Sequence, residues 1–136
     1  MLDLTMIKKA SQQLRSSLKY CNAPENQVDK QLNMHLRSAA IQAFEFTYEL
    51  SIKLIRRRLT DFDSATKISQ LPFKDLIRQA AKVGLIEAPE AWFQFREMRN
   101  ITSHAYEESK SKQIYQELPN FIKEVDFFIK QLELAS

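Results

Sequence analysis

An arginine, a histidine and a tyrosine stand at R-x4-H-x-Y spacing in the segment Arg99-Asn100-Ile101-Thr102-Ser103-His104-Ala105-Tyr106. A guanidinium is always charged and grips phosphate or carboxylate with a planar fork. An imidazole takes or gives a proton near neutral pH. Asn100 adds a donor and an acceptor at the same place. This set can bind and attack a phosphodiester without a metal ion. On one regular helix, residues five apart lie about 140° apart and ~7.5 Å along the axis. Arg99 and His104 therefore meet only if the helix loosens before His104, or if a second copy of the chain completes the site. Tyr106 needs the same loosening. Each residue also has a plainer reading: Arg99 in a salt bridge to Glu107 or Glu45, His104 as a capping or core histidine, Tyr106 as a core or surface aromatic.

The rest of the composition narrows the chemistry. The 136 residues read as one domain, 1–136, long enough for a hydrophobic core. One glycine and four prolines are too few turn residues for sheets and tight hairpins, so an all-α fold is expected. With Gly84 as the single glycine, neither a P-loop nor a dinucleotide fingerprint can form. Two histidines, His35 and His104, and one cysteine give no familiar zinc spacing, so no metal is expected. Cys21 cannot form an intramolecular disulfide and fits a reducing cytoplasm; it reads as a small buried hydrophobe. No apolar run approaches the ~20 residues of a membrane span, and the first residues lack the order of a secretory signal. The net charge of +3 permits RNA or an acidic partner without requiring either.

Five helical segments are expected to position the site. The first runs from about Asp3 to Cys21, with Ile7, Ala10, Leu14, Leu18 and Cys21 on one stripe. Asn22-Ala23-Pro24 ends it. The second and longest runs from about Asp29 to Thr60. It has two apolar stripes on opposite sides, Phe44-Tyr48-Ile52-Ile55-Leu59 and Phe46-Leu50-Leu54. Such a helix is either central to the protein or faces both its own core and a second subunit. Phe62 to Leu71 reads as a connection. A short third helix spans Pro72 to Val83 and stops at Gly84. Pro89 opens the fourth, which carries Trp92, Phe95 and Met98 and ends between Ser103 and Tyr106. The fifth begins near Ser109. Its seam is Ile114, Leu118, Phe121, Val125, Phe128 and Leu132, with a kink expected at Pro119. Arg56-Arg57-Arg58, at the end of the second helix, reads either as an RNA or partner contact or as a solvated terminus favoured by the helix dipole. His35 reads as structural or exposed.

The site segment resembles a known motif. Arg99-Asn100-x3-His104-x-Tyr106 is similar to the R-x4-6-H motif of the HEPN superfamily (higher eukaryotes and prokaryotes nucleotide-binding domains), and its H-x-Y ending resembles the HepT-like branch. Arg37-x3-Ile41-Gln42-x-Phe44-Glu45-Phe46-Thr47-Tyr48-Glu49-Leu50 is similar to the second helix of the nucleotidyltransferase substrate-binding proteins. Ala80-x3-Gly84-Leu85-Ile86, Trp92 and Pro119 fit the same family. The resemblance covers about Leu14 to Leu132.

It implies a four-helix up-down bundle, here with a short extra helix, that forms a homodimer in the cytoplasm. The implied partner is a minimal nucleotidyltransferase encoded nearby, and the implied role is the toxin half of a toxin–antitoxin pair. Related toxins are metal-independent ribonucleases in which the Arg and His of both subunits form one cleft. The resemblance thus assigns Arg99 and His104 to catalysis, Arg99 and Asn100 to binding RNA or a nucleotide, and Tyr106 to accepting AMP from the partner. No cofactor is implied. The alternative is a non-catalytic module that presents a nucleotide or substrate, with Tyr106 as the AMP acceptor. The chain carries no Gly-Ser loop or paired aspartates of its own with which to transfer nucleotides.

Overall fold

Helix stop and start signals divide the chain into six α-helices. The computed structural model describes residues 2–135. Its helices are α1 (Thr5–Asn22), α2 (Lys30–Leu59), α3 (Ala65–Gln70), α4 (Phe73–Lys82), α5 (Pro89–Ile101) and α6 (Glu108–Leu134), with short 3-10 turns at Pro24–Asn26 and Thr102–His104. Asp29 caps α2 by accepting from the backbone N–H groups of Gln31 and Leu32 at 3.0 and 3.1 Å. Gly84 adopts φ +84°, which lets the Leu85 N–H reach the Ala80 carbonyl (2.9 Å) and the Gly84 N–H reach that of Ala81 (3.1 Å). This left-handed cap stops α4 and turns Leu85 and Ile86 into the core. Among the described residues there is no strand, and no helix is long and apolar enough to cross a membrane.

Side-chain contacts set the helix directions. Lys8 pairs with Glu133, Arg15 with Asp126, and the Tyr115 hydroxyl donates to Asn22. As α1 ascends, its partners on α6 descend, so the two helices are antiparallel. Arg37 stacks over Tyr115 and Phe44 meets Phe121, so α2 and α6 run in the same direction. Trp92 packs on Phe128 and Phe95 on Phe121, so α5 opposes both. Helices α1, α2, α5 and α6 therefore form the expected up-down bundle. One buried cluster draws side chains from all six helices, with Phe44, Trp92, Phe95, Phe121 and Phe128 among its largest members.

The expected seams of α1, α5 and α6 are buried throughout, as is Cys21. One element differs from the sequence reading. The Phe62–Leu71 connection contains a helix, α3, capped by the Ser64 hydroxyl on the Lys67 N–H and anchored by Ile68. There are thus two short helices, not one. Helix α6 runs through Pro119 as a single element. The second stripe of α2 is only partly covered by the chain's own core: Leu50 and Leu54 are half-buried against it and Phe46 is 48% exposed.

Glu124, on α6, is a buried carboxylate at the start of α5. The Ala88 backbone N–H donates to it, but its Oε1 has no partner. Burial, helped by the neighbouring Glu87 charge, raises its pKa above the ordinary value of about 4.5, and Lys123 pulls the other way. In the pH range from there to the raised value, the folded chain holds a proton that the unfolded chain has lost. Stability must therefore fall as pH rises through that window. Glu124→Gln is expected to remove this contribution, so urea unfolding of the variant should lose less stability than wild type between acid and neutral pH.

Candidate active site on α5 and α2

Trp92, Phe95 and Met98 anchor one face of α5 in the core. Their spacing leaves Arg99 at the edge of that face, beside the antiparallel α2. There α2 presents Glu45 and Glu49, four residues apart and hence on one side of the helix. The Arg99 guanidinium fills the gap. Its Nε and Nη2 donate to Glu49 Oε1 at 3.0 and 2.7 Å, and Nη1 lies 3.3 Å from Glu45 Oε2. Nη1 also donates to the Thr102 hydroxyl at 2.9 Å, which in turn donates to the Arg99 carbonyl at 2.7 Å. The hydrogen bonds that Arg99 donates to Glu49 raise its pKa further, with the Glu45 charge adding to the effect. Burial pushes the neighbouring Tyr48 phenol up to about 12, against the pull of Arg96 and Arg99.

After Ile101 the helix tightens into the 3-10 turn Thr102–His104. Regular α-helix thus ends before His104, by tightening rather than by the loosening that was one of the two expectations. Thr102, buried, ties this turn back to Arg99. His104 is exposed, and among the described residues its imidazole has no hydrogen-bond partner. Its ring lies 6.3 Å from that of Tyr106, which is 82% exposed. Neither is a core residue. Asn100 is exposed and lines a separate cleft of about 350 Å³ between α4 and α5, with Phe73, Phe93 and Arg96. The structure thus joins Arg99 to α2, sets His104 and Tyr106 side by side, and leaves Asn100 on another face. His35 is exposed on α2, away from any such cluster.

Glu45 was visible as an Arg99 partner; Glu49 and Thr102 were not. The signal for Glu49 is its four-residue spacing from Glu45. The signal for Thr102 is a hydroxyl three residues after the arginine, the reach of a side chain back to the last turn of a helix. Among the described residues, no group of three or more His, Cys, Asp or Glu side chains could hold a metal ion. A basic group, an unengaged imidazole and a phenol are the reactive groups here. Two carboxylates hold the guanidinium in place, one of them, Glu49, half exposed.

An all-helical bundle with an Arg–His–Tyr surface site defines a class, and comparison with known proteins makes it specific. Residues 2–134 match the family model "Nucleotidyltransferase substrate binding protein like", and the chain belongs to that family. Over 98 residues it is 42% identical to a Haemophilus influenzae protein named "Probable ribonuclease HepT", covering 71% of this chain and 67% of that one. A solved Haemophilus influenzae structure, described as revealing the fold of a substrate binding domain of a nucleotidyltransferase, superposes with a TM-score of 0.91. It is 33% identical, over 96% of this chain and 99% of its own. A Thermus thermophilus structure shares the fold, with a TM-score of 0.66 at 23% identity over 90% of this chain and 98% of that one.

Proposed function

We propose that this chain is the substrate-binding partner of a minimal nucleotidyltransferase and the HepT-like toxin half of a toxin–antitoxin pair, acting in the cytoplasm as a metal-independent endoribonuclease. The observation that carries the reading is the exposed His104, free of hydrogen bonds among the described residues, on a 3-10 turn that Thr102 ties back to a clamped Arg99. In a homodimer, the half-exposed stripe of Phe46, Leu50 and Leu54 lies on the same helix as Glu45 and Glu49. Burying it against a second copy would bring two Arg99–His104 pairs toward one cleft. One His104 then takes the proton of a ribose 2′-OH, whose oxygen bonds to phosphorus. The second His104 protonates the departing 5′-oxygen, leaving a 2′,3′-cyclic phosphate. Arg99 exchanges its Glu49 contacts for the phosphate and stabilises the growing charge. Asn100 is left to the strand beyond the cleft. Cleavage of single-stranded RNA by the purified chain in EDTA, beside His104→Ala, tests this reading.

A second reading has its own support. Arg99 is fully engaged by Glu45, Glu49 and Thr102, while the Tyr106 hydroxyl is open to solvent. On this reading the bundle presents Tyr106 as an acceptor: its hydroxyl oxygen bonds to the α-phosphorus of ATP held by the nucleotidyltransferase, the α–β phosphoanhydride bond breaks to release pyrophosphate, and the phenol proton passes to solvent. The added phosphate brings negative charge beside His104 and opposes RNA entry. Co-expression with the adjacent nucleotidyltransferase is expected to add the mass of AMP to a peptide containing Tyr106, and Tyr106→Phe to abolish the gain. An unmodified peptide from the co-expressed pair would remove this reading.

A further inference from the structure

A cavity of about 730 Å³ opens at the end of the bundle where α2 and α6 stop. It is unconnected with the reading of Arg99 and His104: Arg57 lies eight residues beyond Glu49 on α2, ~12 Å further along the axis, while His104 is at the opposite end of the antiparallel α5. Arg56, Arg57 and Arg58 line it, and among the described lining residues Asp61 is the one carboxylate. Leu2, Ile68 and Leu132 give it an apolar floor, and the hydroxyls of Thr60 and Ser69 stand at its edge. The volume falls within the range of small-molecule sites, and so does the combination of apolar lining with a few convergent polar groups.

The arginines are not needed to finish the helix. The last carbonyls of α2 are already taken: that of Arg57 by the Thr60 N–H and hydroxyl, that of Arg58 by the Asp61 N–H, and that of Leu59 by the Phe62 and Asp63 N–H groups. Arg56 spends one Nη1 contact on the Ile68 carbonyl, which holds α3 as a wall of the cavity. Arg58 pairs with Asp61 and stacks over Phe62, yet its Nε is buried without a partner. Arg57 has no ion pair or side-chain hydrogen bond among the described residues. Guanidinium donors are thus left over, in a concave site whose floor is apolar.

We propose that this cavity binds a small organic phosphate, with the phosphate on Arg57 and Arg56 and an apolar or aromatic body against Leu2, Ile68 and Leu132. Arginine forks match the phosphate oxygens. A half-open pocket of this volume with an apolar floor suits a compact ligand better than the backbone of a nucleic-acid strand, which tracks long basic grooves.

The test is titration of the full chain with phenyl phosphate, followed by amide NMR shifts and calorimetry, beside inorganic phosphate and an unphosphorylated single-stranded oligonucleotide. The expected result is saturable shifts confined to residues 56–69 and 132–135. Binding should weaken about tenfold or more in Arg57→Gln and with inorganic phosphate, and should be unchanged in Arg99→Gln. Arg57 is exposed and supports no fold contact, so its loss reports on binding alone. Absence of saturable shifts, shifts centred on residues 96–106, equal affinity for inorganic phosphate, or tighter binding of the oligonucleotide at the same residues would each overturn the proposal.

Discussion

Replacing His104 by alanine is expected to lower cleavage of single-stranded RNA in EDTA by at least ~10²-fold, the usual worth of a positioned acid–base group. The test is clean because of where His104 sits. It is exposed, makes no side-chain hydrogen bond among the described residues, and belongs to no buried cluster, so its truncation should leave the urea midpoint unchanged. Arg99→Ala should be similarly inactive but less clean, because it strands Glu45 and Glu49 as like charges four residues apart. Analysis of the cleaved ends adds a second readout, since attack by the 2′-OH leaves a cyclic phosphate. Equal cleavage by the His104 variant would end the ribonuclease reading. A wild type that cuts nothing while bearing an unmodified Tyr106 would end it as well.

Phe121→Ala should cost about 3–5 kcal/mol of stability, the range for deleting a fully buried phenyl ring. Phe121 is 0% exposed. Its ring meets those of Phe44 at 4.7 Å, Phe95 at 5.0 Å and Trp92 at 6.2 Å, all edge-on. One side chain thus ties α6 to α2 and α5, the two helices that carry Glu45, Glu49 and Arg99. Against a total of about 5–15 kcal/mol for an ordinary domain, the loss takes a large share and should appear as a strongly lowered urea midpoint. A shift of under ~1 kcal/mol would mean that the bundle closes over the cavity by moving α5, and the Arg99 contacts would then move with it.

The legible features were those written in local periodicity. The stripes of α1 and α6, the Gly84 stop and the Pro89 start depend on residues within a few turns of one another, and each stands where the pattern put it. Helix α3 was hidden because Asp63, Ser64, Thr66 and Ser69 have the composition of a loop. What makes it helical is a Ser64 cap and one apolar anchor, Ile68, held from outside by Arg56. The two stripes of α2 were visible as apolar, but periodicity cannot say what covers each, and Phe46 is exposed in this chain. Within the site, the spacing raised a break in regular helix before His104 as one of two possibilities, but not that the break would be a tightened 3-10 turn. The Arg99–Glu49 contact was not legible, because it joins residues fifty positions apart on helices whose relative height is set by the aromatic packing between them.

Trp92 is the chain's one tryptophan, and it is completely buried, ringed by Phe95, Phe121 and Phe128 with its indole N–H unbonded. The molecule therefore carries a built-in optical probe in a dry, apolar surrounding. Its emission belongs at the blue end of the tryptophan range and moves red only when water reaches the core. Nothing done at His104, Tyr106 or Arg57 touches that ring directly. In each of these variants, one spectrum separates a protein that has lost its chemistry from a protein that has lost its shape.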